Sequence, residues 1–188
     1  MKKFIVEGGY SCDRQSKYDF TASTVCHLSK LYPNKEISVV FKEFNKEDGS
    51  LVDFDSNLSS TVSPSDLVMF FNDQPYIIEL KERWGKYTSD RYGEEGDEEG
   101  WMLNIEKHQS LTTQKWAIPL YVNLYPDNVV RLWNLNKINS YNTINKNIPK
   151  YTVVESDKKN QDRYEVWNRD SKVITRLKGH PSNGVWHS

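Results

Sequence analysis

The chain has 188 residues, 37% hydrophobic and 27% charged, with a formal net charge of −1. That length suits one domain with a real core and is short for two, and the charge excludes a globally basic nucleic-acid-binding protein. No stretch approaches the roughly 18 apolar residues that a bilayer span needs. The apolar run after the first two lysines is too short for a secretory leader, and Cys12 and Cys26 have neither zinc nor disulfide-framework spacing. A cytoplasmic protein with no membrane partner is therefore expected, in the host cytoplasm if the chain is phage-encoded.

Residues 18–31 read as a helix with an apolar stripe of Ala22, Val25, Cys26, Leu28 and Leu31, capped by Asp19 or Thr21 and ended by Pro33-Asn34. Residues 37–43 are β-branched and predict a strand. A polar stretch follows over 44–65, with Asp48-Gly49 as a turn signal. Residues 66–71 and 76–81 then predict two strands joined by a turn over 72–75, where Asn72, Asp73 and Pro75 are turn residues. Residues 84–100 are glycine-rich, carry the acidic cluster Glu94, Glu95, Asp97, Glu98 and Glu99, and read as a mobile loop.

Beyond it, residues 102–116 predict a helix and 118–124 and 129–135 predict strands around a turn at Tyr125-Pro126-Asp127-Asn128. An Asn-rich loop, 136–150, leads to a strand at 151–155 and a hairpin of 163–167 with 172–177. The expected fold is α/β, a central mixed sheet flanked by helices. Residues 1–150 form its core, and 151–188 are a C-terminal β-hairpin extension packed on the same domain. Residues 146–188 carry nine Lys/Arg against five Asp/Glu, a basic part suited to a phosphate backbone.

The chemistry lies on the hairpin. With a loop at 72–75, Phe71 faces Tyr76, Val68 faces Glu79 and Asp66 faces Lys81. Directly paired residues share a face, and Glu79 and Lys81 share one because strand side chains alternate. Asp66, Glu79 and Lys81 therefore converge on one patch. Both strands are apolar on either face, which marks a buried central hairpin, and charges at its end are costly unless paired or used. Two carboxylates and an amine suit phosphodiester hydrolysis. Mg2+, or Mn2+ in its place, binds one or two carboxylates, neutralises the phosphate and lowers the pKa of its bound water. The lysine positions that water and stabilises charge.

These residues resemble the PD-(D/E)XK nuclease superfamily, whose pattern is a carboxylate on one strand and (D/E)-x-K on the next. Here Ser65-Asp66 precedes Glu79-Leu80-Lys81, with Ser65 in place of the nominal proline. The resemblance covers roughly residues 15–125 and is to small phage or bacterial members. It implies a restriction-endonuclease-like αβββαβ core, Mg2+-dependent cleavage of nucleic acid, DNA above all, and the Leu80 carbonyl as a further metal ligand. It also implies a polar side chain from the later helix at the site. Lys107 is the candidate; Gln109 lies nearby, and Lys107, Leu111 and Gln114 share a helical face.

Asp19 is the one nearby acid of the first helix, and Asp53 and Asp55 are rival first carboxylates that no hairpin register delivers. His27, His108, His180 and His187 have no metal-ligand spacing. Trp84, Arg83, Lys86 and Arg91 lie where a nucleic-acid backbone would pass. A homodimer is compatible with all of this. The rival is a catalytically inactive nuclease-fold protein that binds nucleic acid or a protein partner, and the acidic 94–99 segment would suit a basic one.

Overall fold

The computed structural model describes residues 9–45, 47–54, 65–83, 100–138, 142–144, 163–167, 170–179 and 185–187. In chain order they form α1 (Gly9–Leu31), β1 (Ser38–Phe44), β2 (Leu51–Asp53), β3 (Leu67–Phe71), β4 (Gln74–Glu82), β5 (Gly100–Asn104), α2 (Ile105–Thr112), β6 (Ile118–Tyr125) and β7 (Val129–Asn134). A short 3-10 turn, Leu135–Lys137, leads on to β8 (Asn142–Ile144), β9 (Arg163–Trp167), β10 (Ser171–Thr175) and β11 (Val185–His187). The class is α/β, as expected.

One eight-stranded mixed sheet runs β10-β7-β6-β4-β3-β1-β11, with β2 also on β1. β11 pairs with Ser38–Val40 and β2 with Lys42–Phe44, one after the other along the same strand. All pairings are antiparallel except β4 with β6. A parallel pair needs a crossover, and β5 with α2 lies between the two strands in sequence. β5, β9 and β8 form a second, three-stranded sheet. Among the described residues no helix is long and apolar enough to cross a membrane.

The β3–β4 turn is shorter than its composition suggests. Asn72 and Asp73 have φ of 45° and 65°, the left-handed pair that a two-residue hairpin turn needs and that Asn and Asp tolerate. Asn72 is also fastened to β1, its Oδ1 accepting from the Ser38 N–H at 3.0 Å and its N–H donating to the Ser38 carbonyl at 2.9 Å. Gln74 and Pro75, expected in the turn, are strand residues opposite Phe71 and Phe70, and Leu67 pairs with Ile78. The expected register is therefore corrected by two residues: it runs as far as Leu67 opposite Ile78, and Asp66, just past the ladder, donates its N–H to the Ile78 carbonyl. An even shift leaves every side chain on its expected face.

Three other expectations are corrected. The helix placed over 102–116 is the strand β5 followed by α2, because the Asn104 side chain accepts from the N–H groups of Glu106 and Lys107 and starts the helix at Ile105. The C-terminal hairpin is not formed: β9 pairs with β5 and β8, while β10 pairs with β7 at the edge of the large sheet. The first helix begins nine residues earlier than expected, and its most buried run is Ser16–Thr21, with Leu31 53% exposed; Val25 and Leu28 do pack on the core. The strand expected at 151–155 and the loop at 84–99 lie outside the described residues.

Helices cover both faces of the sheet. On one, Tyr18 and Phe20 of α1 pack with Phe41, Leu67, Ile78, Leu80 and Val122. On the other, Leu111 of α2 packs with Ile77, Tyr121 and Trp133, whose rings stack at 5.4 Å. The α1 face also buries charge. Glu43 of β1 is held by Lys17 at 2.8 Å and Arg14 at 3.2 Å. Arg176, just past β10, donates to Asp19 of α1 at 2.8 and 3.0 Å, to Glu82 of β4 at 2.6 and 3.0 Å and to the Tyr125 carbonyl of β6 at 3.1 Å. One guanidinium thus ties a helix, two central strands and the C-terminal segment together. Gly179 sits so close that a Cβ there would lie 2.0 Å from the Tyr18 carbonyl oxygen.

Burial opposes ionisation of Asp19, but the Gly179 N–H, Gln15 and Arg176 hold its carboxyl below the ordinary value. Arg176→Met strands a buried carboxylate and should lower unfolding free energy in urea by about 3–5 kcal/mol at neutral pH. The wild-type contribution of Asp19 is present above the unfolded carboxyl pKa and lost as pH falls through the folded one. The gap between wild type and Arg176→Met should therefore narrow in acid; a gap constant with pH would show that Asp19 is not the partner that matters.

Candidate metal-binding cleft

Strand alternation sorts β4 into two sets. Ile78, Leu80 and Glu82 face α1, while Ile77, Glu79 and Lys81 face α2. Glu79 is 1% exposed. Lys81 Nζ lies 2.8 Å from its Oε1, and Lys107 Nζ reaches from α2 to within 3.0 Å of Oε2. The Oε2 contact is ion pairing without hydrogen-bond geometry, and that oxygen is buried with no hydrogen-bond partner. The two ammonium groups are themselves 48% and 31% exposed as side chains. Glu79 is thus the floor and the lysines the rim of a cleft of about 370 Å3, which Asn104, Ser110 and Tyr121 also line.

Asp66 enters from the neighbouring strand. Its N–H donates to the Ile78 carbonyl at 2.9 Å and its Oδ2 accepts from the Leu80 N–H at 2.8 Å. The side chain does for β4 what a backbone carbonyl of β3 would have done, because the β3 ladder stops at Leu67 while β4 continues to Glu82. Within a strand, a residue's N–H and C=O point to the same neighbour, so the Leu80 carbonyl emerges on the Asp66 side. Asp66 also acts on Lys81. Burial works to lower the Lys81 pKa, but Glu79 first and Asp66 second outweigh it and hold the ammonium above its ordinary value. The four side chains singled out from sequence, Asp66, Glu79, Lys81 and Lys107, are therefore gathered around the exposed end of β4.

Among the described residues no group of three His, Cys, Asp or Glu side chains could cage a metal ion. Mg2+ does not require one: it takes one or two carboxylates, keeps several waters and prefers hard oxygen. Asp66, Glu79 and the Leu80 carbonyl offer that donor type, and Glu79 is buried where only charge of the opposite sign makes its ionised form tolerable. The residues fit a small divalent cation.

Other candidates lie elsewhere. Asp19 sits on the far face of the sheet with Arg176, and Asp53 is paired to Lys42 on the outer strand. Asp55, Trp84, Lys86, Arg91 and the acidic 94–99 segment lie outside the described residues. Gln109 is exposed, Leu111 is fully buried core, and Gln114 accepts from the Trp116 indole. Burial lowers the pKa of His108, and in His27 burial and then Lys172 and Lys30 do the same.

Sequence reasoning named Arg83 only for a nucleic-acid rim and missed Asn123 and Arg131 on this face. Arg83 Nη2 donates to the Tyr121 hydroxyl at 2.6 Å. Asn123, two residues on from Tyr121, is fully buried; a lone amide in the otherwise apolar run 118–125 was the available signal. Arg131, beside it on β7, is buried enough for its pKa to fall to about 10.

No protein-family model, curated protein or solved structure matches the chain. A direct test of the cleft is therefore binding. A divalent cation at Glu79 would compete with Lys107, so Lys107→Met should tighten Mn2+ binding measured by calorimetry roughly three- to tenfold. Glu79→Ala should abolish it. Equal affinities in wild type and Lys107→Met would show that amine and ion do not share the carboxylate.

Proposed function

We propose that the chain is a metal-dependent nuclease that hydrolyses phosphodiester bonds of DNA, built on a restriction-endonuclease-like core. The observation that carries this reading is a buried carboxylate, Glu79, flanked by two lysines from different elements in one cleft, with the Asp66 carboxylate on the adjoining Leu80 N–H. The element order supports it: α1, β1, β3, β4, α2 and β6 run in the αβββαβ sequence of that core, with β3 antiparallel to its neighbours and β4 parallel to β6.

A phosphodiester resists hydrolysis because its anionic oxygens repel hydroxide. Mg2+, when bound, supplies the neutralising charge and a water of lowered pKa. Asp66, Glu79 and the Leu80 carbonyl would hold it. Lys81, half-exposed beside Glu79, orients the attacking water and faces the developing charge. Lys107 brings a second cation to the same cleft from the opposite wall, where it can meet a non-bridging phosphate oxygen. Neither lysine has to be recruited, because Glu79 already holds both ammonium groups within 3.0 Å of its oxygens.

The test is cleavage of supercoiled plasmid and of single-stranded DNA and RNA with Mg2+ or Mn2+. Wild type should nick DNA only with metal, and Asp66→Ala, Glu79→Ala and Lys81→Ala should each slow it by roughly 100- to 1,000-fold. A wild-type protein that binds DNA but cleaves no nucleic acid with either metal would instead be a catalytically inactive nuclease-fold binder.

A further inference from the structure

Asn123 carries a penalty that folding does not require. It is 0% exposed, and neither Oδ1 nor Nδ2 has a hydrogen-bond partner. Burying an amide in that state costs roughly 1–3 kcal/mol. Its strand is otherwise apolar at the core, with Leu120, Val122 and Leu124 on one face and Tyr121 and Tyr125 on the other. A leucine of nearly the same size would remove the penalty.

The parallel register gives the amide a context. Glu79 pairs with Tyr121 and Lys81 pairs with Asn123, so Lys81 and Asn123 stand side by side on the α2 face, on strands about 4.8 Å apart. On the other side, Asn123 pairs with Arg131, which donates its Nη1 to the Ser171 hydroxyl at 2.5 Å. The amide thus lies between two cations, and neither hydrogen-bonds to it.

We propose that Asn123 is a positioning residue for Lys81: its Oδ1 is the second seat of the Lys81 ammonium, taken when Glu79 turns its oxygens to a divalent cation. This rests on the nuclease reading. Lys81 is ion-paired to Glu79 at 2.8 Å. Once Glu79 serves as a ligand, that acceptor is lost, and only another one close by would hold the half-exposed ammonium in place instead of releasing it to water. A carboxylate at position 123 would compete for the cation and hold the lysine away from the cleft. A neutral amide oxygen receives the amine without either effect and keeps it beside the place where phosphate and water meet. The empty hydrogen-bonding capacity of Asn123 is then the vacant half of a two-position device, and the occupied half is Glu79.

The experiment compares wild type with Asn123→Leu, using Asn123→Ala as the second variant should leucine fail to fold. Thermal midpoints, Mn2+ affinity by calorimetry, cleavage kinetics and the 13Cε lysine NMR spectrum with and without Mg2+ are measured, with the Lys81 signal assigned through Lys81→Arg. Asn123→Leu should melt no lower than wild type and bind Mn2+ within twofold. Its kcat should fall roughly 10- to 100-fold with KM within twofold. The Lys81 signal of wild type should move to one sharp new position on adding Mg2+, and that of Asn123→Leu should not reach it. Unchanged kcat together with the same Mg2+-induced Lys81 position in both proteins would overturn the assignment of Asn123 and leave the nuclease reading standing. A wild type that neither binds Mn2+ nor cleaves would overturn both.

Discussion

The turn between β3 and β4 holds Asn72 and Asp73 in left-handed backbone conformations, and a loop of two such residues allows one register. That register puts Leu67 opposite Ile78 and brings Asp66, the residue before it, against the Ile78 carbonyl and the Leu80 N–H. It also ends the β3 ladder where β4 still has four residues to run, so the end of β4 is lined by a side chain instead of a strand. Bonds from Asn72 to Ser38 hold the turn against β1. A slip by one residue would turn Asp66 to the α1 face, away from Glu79 and Lys81. The geometry of the cleft is therefore decided some 20 Å along the strand from it, at roughly 3.3 Å per residue, by the torsion angles of two small polar residues.

Sequence reading reached the site because a period of two is insensitive to an error of two. Taking Gln74 and Pro75 for turn residues displaced every partner, yet Glu79 and Lys81 kept their shared face, and Asp66 stayed close through its bond to the Leu80 N–H. Lys107 was named through the resemblance to a nuclease family, and with α2 starting at Ile105 it lies in the first turn, next to the strand that feeds it. What local patterns could not carry was long-range pairing. The strands 163–167 and 171–175 look like a hairpin by spacing and composition, but each found a different sheet. The partnership of Asp19 with Arg176 spans most of the chain, and nothing local to either residue announces it. The first helix was misread on its buried side because much of that side is polar: Ser16, Lys17 and Asp19 are held by partners on the sheet and in the C-terminal segment, not by hydrophobicity.

Both faces of the sheet bury carboxylates between cations, and they do it differently. On the α1 face Lys17 is only 7% exposed and Arg176 8%, and both make hydrogen bonds of good length to their acids. Removing either partner strands the other, which is how buried pairs fix a structure. On the α2 face Glu79 is as deeply buried, but its two lysines are open to a cleft and one of its oxygens lacks a hydrogen bond. The first arrangement is closed and resists exchange of partners. The second leaves the cations reachable from solvent and the acid ready to take a different charge.

The bond between Asp19 and Arg176 also sets an order of events during synthesis. The two residues are 157 positions apart, so a nascent chain carries α1 through all of that length before its anchoring guanidinium exists. Until then Asp19 has no counter-charge from that end, and the helix cannot sink against β4 without stranding a carboxylate. Closure of the α1 face is thus tied to a segment made 157 positions later, so α1 is synthesised well before its buried acid can be paired from that side.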